Sequence, residues 1–347
     1  MIKDNETNVL RRGTLRENNY DLLRVVATLM VILNHVADYY LTKANFTGPI
    51  SIYMAEAVGA PAVQLFLMLS GAFVIDKAKG QSIAAFYRKS TVKLLLPVVL
   101  IIPLYYLVAA VHGKLTVAFV LHSLKTGFFG HPLWYMFMLI GIYAVIPFIA
   151  LIKNSVSQKT YIYLGVGYFI WAVFSNQLDS YTASYSVGCS LGFLGFVFGG
   201  DIIRHKLEKN NIKGAFLIFA GLVLLMVNYY ALYGVVANGG YYGDRLFSSR
   251  TAPFVLVGTL VIFAGFSMLQ LKCSFAFWAK YTFTIYLIHK IVLDEMHYVM
   301  YKVLGTPMTT EPMTIIMGEM VVIFFVSLIL SIILAKIFQQ LMRLMGN

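Results

Sequence analysis

The sequence predicts an all-α, polytopic integral membrane protein with about ten transmembrane helices and both termini in the cytoplasm. Three observations predict this fold class. Hydrophobic residues make up 59% of the 347 residues and charged residues only 12%, whereas soluble domains carry about 25% charged residues. The mean hydropathy is +0.76. Long apolar segments recur along the chain, and the Lys and Arg residues between them are unevenly distributed.

The apolar segments set the predicted spans, because about 20 apolar residues in a helix cross the hydrocarbon core of a bilayer. They are 21–41, 50–75, 90–112, 131–152, 160–178, 185–203, 213–236, 251–271, 279–303 and 313–342. With the amino terminus inside, most of the 27 Lys and Arg residues fall on the cytoplasmic side, which agrees with the positive-inside rule. The chain thus divides into a cytoplasmic polar leader, 1–19, and one transmembrane domain, 20–345.

The first span carries two ionisable residues, Arg24 and His35, in the segment DLLRVVATLMVILNHVADYY. They are eleven positions apart, so on a helix they lie within about 20° of one face and about 16 Å apart along the axis. Ionisable groups in a bilayer are costly and mark functional sites by default. The alternative is a snorkelling arginine and a core histidine that a neighbouring helix satisfies.

Histidine is the side chain best suited to take a proton from a hydroxyl at neutral pH, and it needs no metal to do so. The remaining histidines lack the spacing of a metal site, and Cys189 and Cys273 predict neither a disulfide framework nor a zinc site. We therefore expect no metal, and His35 is a candidate general base.

A basic cluster precedes the third span, in the segment YRKSTVKLLLP. Lys89 and Lys93 share one helix face, and Arg88 lies on the adjoining face. Flanking charge of this kind is usual on the cytoplasmic side of a span. It also suits a clamp for the phosphates of an anionic cytoplasmic ligand. The sequence leaves both interpretations open.

Three further segments contain polar residues within apolar surroundings: LFLMLSGAFV with Ser70 and Gly71, LWYMFMLIGIYAVIP with Trp134, and YLIHKIVL with His289. Each has an ordinary explanation. Small residues let helices approach closely, Trp residues belong to the interfacial aromatic belt, and a histidine can be a packed polar residue of the core.

Together these segments resemble the acyltransferase-3 family of bacterial integral membrane acyltransferases. The resemblance runs from about Tyr20 to the end of the chain, and its most specific element is the pattern of an arginine, ten residues and a histidine, matched by Arg24 and His35. The family often has two arginines three residues apart in the basic stretch. Here Ser90 stands three residues before Lys93, so Arg88 and Lys89 are the expected substitutes.

The resemblance implies transfer of an acetyl group from cytoplasmic acetyl-CoA to a hydroxyl of an extracytoplasmic glycan or lipid-linked sugar. Acetyl-CoA would be a co-substrate, no cofactor would be bound permanently, and nucleic acid is not an expected partner. The protein would lie among the lipids of the bacterial cell membrane. Arg24 and the basic stretch would hold the donor, while His35 would activate the acceptor hydroxyl.

Supporting roles are assigned to residues near these groups. Asp38 follows His35 by three residues and is a candidate to orient its imidazole, although a solvated carboxylate in the first loop is the plainer interpretation. Ser70, Trp134 and His289 are supporting candidates. In the outer loop NGGYYGDRLFSSR, Tyr241 and Tyr242 suit a sugar acceptor, and they suit the interfacial belt equally well.

A membrane carrier for a small amino acid such as serine is the alternative function. The chain also resembles the membrane domain of the serine racemases of vancomycin resistance, a branch of the same family. Carriers tend to have inverted repeats and paired broken helices, and only one break is visible in the sequence, in VGAPAVQ around Pro61. A purely structural membrane subunit would leave Arg24 and His35 without a role.

Overall fold

The computed structural model describes residues 17–126, 133–178, 192–243, 246–248, 252–305 and 313–344. Only the last three residues of the predicted leader 1–19 fall within these ranges. The elements of regular structure described there are all helical. They are α1 (Asn18–Lys43), α2 (Ile50–Gly59), α3 (Ala62–Lys79), α4 (Ile83–Val111), α5 (Val117–Thr126), α6 (Trp134–Ser155), α7 (Gln158–Leu178), α8 (Leu194–Lys206), α9 (Asn211–Ala237), α10 (Pro253–Met268), α11 (Ala276–His297), a π-helical turn (Tyr298–Val303) and α12 (Met313–Leu344).

Six helical segments are long and apolar enough to cross a membrane: Asn18–Lys43, Ile50–Lys79, Ile83–Val111, Trp134–Ser155, Asn211–Ala237 and Met313–Ile337. Each coincides with a predicted span. The predicted spans 160–178, 251–271 and 279–303 are also helical but do not meet this criterion, and the start of 185–203 lies outside the described residues. An all-helical, multi-pass architecture is thus supported, while the count of ten and the side of the termini stay predictions.

Helix α1 is the central helix of the bundle. Its 26 residues form one uninterrupted helix, and it packs against α2, α3, α10, α11 and α12. Leu23, Ile32 and Val36 are completely buried in this packing. Because neighbouring helices surround α1, its ionisable residues face protein on several sides.

The second span is broken between α2 and α3, as VGAPAVQ predicts. Pro61 has no N–H to donate and its ring collides with the preceding turn of a helix, so α2 ends at Gly59 and α3 begins at Ala62. The backbone bridges the break with the N–H of Ala60 bonded to the Glu56 carbonyl at 2.8 Å. The break lies beside α1, opposite His35.

Helices α3 and α8 cross at contact distance through two glycines. A Cβ atom on Gly71 would lie 1.9 Å from the Val197 carbonyl oxygen, and one on Gly200 would lie 1.9 Å from the Met68 carbonyl oxygen. No side chain fits at either position. The close approach that the sequence predicted for Gly71 is therefore present.

Helix α4 lies at the edge of the bundle. It begins after Ser82, whose side chain accepts a hydrogen bond from the Ala85 N–H at 3.2 Å, and most of its surface is exposed. Two hydroxyls hold it in place: Tyr87 donates to the Ala144 carbonyl of α6 at 2.7 Å, and Tyr105 donates to the Leu287 carbonyl of α11 at 2.9 Å. The basic residues of the predicted clamp occupy its first three turns.

Candidate functional site

Arg24 and His35 both face α3, because α1 continues through both positions without a break. The Arg24 guanidinium lies over the ring of Phe73, 5.1 Å from its centroid. His35 shares a small cavity with Val63. Phe73 and Val63 are ten residues apart on α3, so the two helices run side by side along the whole stretch. The predicted common face is present in the structure.

Positive charges gather at the Arg24 end of this stretch. Arg204 of α8 also lies over the Phe73 ring, at 4.1 Å, and Lys77 of α3 is exposed nearby. The charges that act most strongly on Lys77 belong to Lys93, Arg24, Arg204 and Lys89. We call these five residues the cationic cluster. Such a concentration of one sign of charge attracts an anion.

Two predicted members of the donor clamp thus join Arg24 in the cationic cluster, and the third is not part of it. Arg88, Lys89 and Lys93 are all exposed. Lys89 and Lys93 act electrostatically on Lys77, and Arg88 lies on the adjoining helix face. Lys77 and Arg204 come from other helices, and only the folded chain brings them to this position. Arg24 itself forms an ion pair with Asp21 of its own helix, Nη1 to Oδ1 2.7 Å.

A second network of charges lies beside the cationic cluster and joins α3, α6 and α8. Lys153 Nζ is 2.7 Å from Asp201 and 3.1 Å from Asp76. Arg204 reaches Glu17 at 2.8 Å and donates to the Ala72 carbonyl at 2.5 Å. We call Glu17, Asp76, Lys153, Asp201, Arg204 and His205 the ion network. Asp201 is only 1% exposed, so its charge depends on these partners.

His205 belongs to this network and follows the predicted sixth span by two residues. Its ring lies 2.9 Å from Asp76 and 3.3 Å from Asp201. Hydrogen bonds to Asp201 and Asp76 favour the imidazolium and raise the pKa of His205 to about 9.

The oxygen and nitrogen atoms of Asp76, Asp201 and His205 are close enough to hold a metal ion. The Lys153 ammonium already lies against both carboxylates, and it supplies the positive charge that a cation would bring. The geometry therefore describes an ion-pair network, and the expectation that the protein binds no metal stays a prediction.

A polar pair lies between the cationic cluster and His35. The hydroxyls of Ser70 on α3 and Tyr143 on α6 lie near each other, and Arg24 acts electrostatically on Tyr143. Ser70 also donates to the Phe66 carbonyl at 3.1 Å. Ser70 stands between Val63 and Phe73 on α3, so polar groups continue along the helix from the cluster toward His35.

His35 and His289 form a pair of imidazole rings with centroids 5.2 Å apart and planes inclined by 33°. His289 is completely buried, and its Nδ1 is 2.6 Å from the Tyr286 carbonyl. A carbonyl only accepts, so Nδ1 carries a proton and neutral His289 keeps a lone pair on Nε2. Among the described residues Nε2 has no hydrogen-bond partner.

The cavity beside His35 is lined by residues of five helices, α1, α2, α3, α6 and α11: Asn34, His35, Gly59, Val63, Trp134 and Tyr286. It is polar on one side, at Asn34 and His35, and aromatic on the other. The family model for an acyltransferase domain matches residues 17–336.

The chain belongs to the acyltransferase-3 family. The match includes the cationic cluster, the polar pair and both histidines, and it establishes a membrane acyltransferase as the class of activity. No curated protein and no solved structure matches the chain, so the geometry of this acyltransferase is interpreted from its own residues.

The structure brings three predicted site residues of this acyltransferase close together, since His35 and Trp134 line the cavity and His289 lies against His35. The other predicted groups lie apart. Asp38 is exposed, and its charge acts on Tyr242. Tyr242 stacks on Phe46 with ring centroids 4.6 Å apart, whereas Tyr241 is 79% exposed.

Besides Asp21 and Asp201, two further buried carboxylates of the acyltransferase were missed in the sequence. Glu56 of α2 accepts a hydrogen bond from Asn34 at 2.8 Å. Glu319 of α12 lies 2.9 Å from the Tyr40 hydroxyl and 3.0 Å from His297. Both carboxylates fall inside predicted spans, so the rule that selected Arg24 and His35 would have selected them as well.

Proposed function

We propose that this acyltransferase moves an acetyl group from cytoplasmic acetyl-CoA to a hydroxyl of an extracytoplasmic glycan or lipid-linked sugar. It would do so in the bacterial cell membrane, with ten spans and both termini inside. One observation carries the proposal: polar groups run along α1 and α3 from the cationic cluster, past Ser70 and Tyr143, to the two histidines. This arrangement suits a donor with an anionic end and a reactive end.

The cationic cluster suits the phosphates of CoA. A charge-assisted hydrogen bond from Arg or Lys to phosphate is among the stronger kinds and contributes roughly 1.5–3 kcal/mol. Arg24, Lys89 and Lys93 would bind the pyrophosphate and ribose phosphate, with Lys77 and Arg204 adding to the field. The loosely packed α4 carries two of these residues and lies at the edge of the bundle, where a donor can approach.

The histidine pair suits the chemical step. His35 would accept the proton of the acceptor hydroxyl as its oxygen bonds to the thioester carbonyl carbon. The carbon–sulfur bond then breaks, and the CoA thiolate leaves and takes up the proton that His35 holds. His289, fixed by the Tyr286 carbonyl, presents Nε2 as a second acceptor next to the reacting groups.

The acceptor would approach His35 from the opposite end of α1. The break between α2 and α3 lies at that end, and its residues Gly59 and Ala60 line the cavity. Tyr241 is exposed and available for stacking against a sugar, while Tyr242 supports the loop through its contact with Phe46. Asp38 lies near this loop and not against the donor cluster.

Donor binding tests the proposal and separates it from the carrier alternative. Replacing Arg24 by Ala, or Lys89 and Lys93 together, should raise the dissociation constant of acetyl-CoA about tenfold or more, because 1.4 kcal/mol is a factor of ten. His35→Ala should leave it nearly unchanged, since His35 meets the acyl group and not the nucleotide. Lys159→Ala is the control, because Lys159 is an exposed lysine on α7 that does not belong to the cationic cluster.

Calorimetry on detergent-solubilised protein, with acetyl-CoA and with free CoA, measures these constants. Saturable binding that weakens only in the cluster variants supports the proposal. Absence of binding to both ligands, together with stabilisation by L-serine, would replace the acyltransferase mechanism with a carrier.

A further inference from the structure

The side chain next to His35 in the sequence, Asn34, also lines the cavity. Its Nδ2 atom donates a hydrogen bond to Glu56 Oε2 at 2.8 Å. Asn34 belongs to α1 and Glu56 to α2, so the bond crosses between two helices just before the break. Glu56 is 5% exposed.

The Asn34 amide is held in one orientation. An ionised carboxylate only accepts hydrogen bonds, so the amide nitrogen and not its oxygen faces Glu56. The helices are also close here, because a Cβ atom on Gly59 would lie 2.7 Å from the Asn34 Cβ atom. Asn34 therefore has little room to turn toward α2.

An amide nitrogen carries two hydrogens, and the bond to Glu56 uses one of them. Asn34 makes no other hydrogen bond to the part of the chain that the structure describes. Its second N–H is thus available at the cavity, on the same stretch of α1 as the His35 imidazole.

Burying the Asn34–Glu56 pair costs more free energy than a purely structural contact requires. A buried carboxylate in a span loses its hydration, and an apolar pair of similar volume is often at least as stable as a buried polar or ionic one. A carboxylate that fixes the orientation of an amide next to a base is, in contrast, a common way to preorganise a reactive site.

We propose that Asn34 donates its second N–H to the thioester carbonyl oxygen as that oxygen becomes negatively charged, and that Glu56 is the positioning residue for Asn34. This role rests on the proposed acetyl transfer. When the acceptor oxygen bonds to the carbonyl carbon, the carbonyl π electrons move to its oxygen, and the hydrogen bond from Asn34 strengthens. They return as the carbon–sulfur bond breaks and CoA leaves.

Hydrolysis of acetyl-CoA, in which water takes the place of the natural acceptor, tests this role. The reaction is followed as the release of free CoA. Asn34→Ala should lower kcat about 100-fold or more, which is the usual loss for one oxyanion donor, with the dissociation constant of acetyl-CoA within about twofold of wild type. Asn34→Asp keeps the shape of the side chain but lacks the second N–H, and it should lose as much.

Asn228→Ala is the matched control. Asn228 is 1% exposed and donates to the Phe247 carbonyl at 2.7 Å, so it resembles Asn34 in burial and bonding but lies on α9 away from the cavity. Its replacement should lower thermal stability and leave kcat per folded molecule unchanged.

Variants of Glu56 test the positioning role. Glu56→Ala should lower kcat about tenfold at unchanged affinity for acetyl-CoA, and Glu56→Gln should restore most of the rate because its side-chain oxygen accepts the same bond. Asn34→Ala combined with Glu56→Ala should be no slower than Asn34→Ala alone, since Glu56 acts through Asn34.

Wild-type kcat in folded Asn34→Ala protein would overturn the role of Asn34 and leave acetyl transfer standing. Additive losses in the double variant would overturn the role of Glu56. If wild-type protein binds acetyl-CoA but releases no CoA, the proposed transfer fails, and the role of Asn34 fails with it.

Discussion

At the scale of single residues, the buried ionisable groups of this acyltransferase occur with a partner on another helix or on the same one. Asp21 holds Arg24, Lys153 lies between Asp76 and Asp201, and Glu319 binds His297. A charge without such a partner would lose its hydration and gain nothing in return. Pairing therefore offsets the loss of hydration of these residues inside the bundle.

The pairing at His205 predicts how stability depends on pH. Its pKa is raised to about 9, above the usual value of about 6.5, so its contribution to stability is complete below about pH 6.5 and is lost as the pH rises through about 9. The groups that face it are Asp76, Asp201 and Lys153.

Thermal unfolding of detergent-solubilised protein between pH 6 and pH 10 measures this contribution. Wild type should lose more stability than His205→Gln over that range, so the difference between the two proteins should shrink as pH rises. A difference that stays constant with pH would contradict the assigned pKa.

How much of the site could be predicted from the sequence depends on whether the residues that meet there belong to one helix or to several. Arg24 and His35 share one helix, so their spacing alone predicted a common face. Their neighbours Lys77, Arg204 and His289 come from other helices, and no spacing in the sequence reports a contact between helices. Glu56 and Glu319 carried a readable signal, namely a carboxylate within a span, which the choice of Arg24 and His35 as site residues left unused.

At the scale of elements, close helix contacts fix the positions of the site residues. Gly71 and Gly200 allow α3 to lie directly against α8, which places Phe73 and Lys77 next to Arg204. At the other end, the Tyr40 hydroxyl is 2.7 Å from Tyr301 in the π-helical turn, and Glu319 joins Tyr40 to His297. These contacts tie α1 to α11 and α12.

Gly71→Ala should strongly destabilise the protein, because its Cβ atom would overlap the Val197 carbonyl and force α3 and α8 apart. Overpacking of this kind typically costs 1–3 kcal/mol or more. Gly141→Ala is the control, since a Cβ atom there meets nothing within 4 Å and alanine favours a helix. A thermal midpoint for Gly71→Ala equal to that of Gly141→Ala would contradict the described crossing.

The elements differ in how well the sequence predicted them. The break at Pro61 and the close approach at Gly71 follow from the backbone chemistry of single residues, and both are present. The ends of α8 and α10 follow less directly, because α8 continues to Lys206, past the predicted end at 203, whereas α10 stops at Met268, before the predicted end at 271. Length in sequence does not fix where a helix stops.

At the scale of the whole molecule, the charged groups are distributed unevenly between the two ends of α1. The cationic cluster and the ion network lie at one end of α1, while Tyr40, Glu319 and the exposed Tyr241 lie toward the other. The histidine pair lies between them. In the proposed function, a donor with phosphates and an acceptor with hydroxyls would approach His35 from the two ends of α1.

Vectorial transfer in sealed membrane vesicles tests this account most directly. Inverted vesicles expose the cytoplasmic face, so radiolabelled acetyl-CoA added outside should label acceptor material inside wild-type vesicles and the Asn228→Ala control. Right-side-out vesicles should incorporate none, and inverted vesicles with His35→Ala should lose transfer while the protein stays folded and binds acetyl-CoA. Equal labelling with His35→Ala, or labelling only in right-side-out vesicles, would contradict the account.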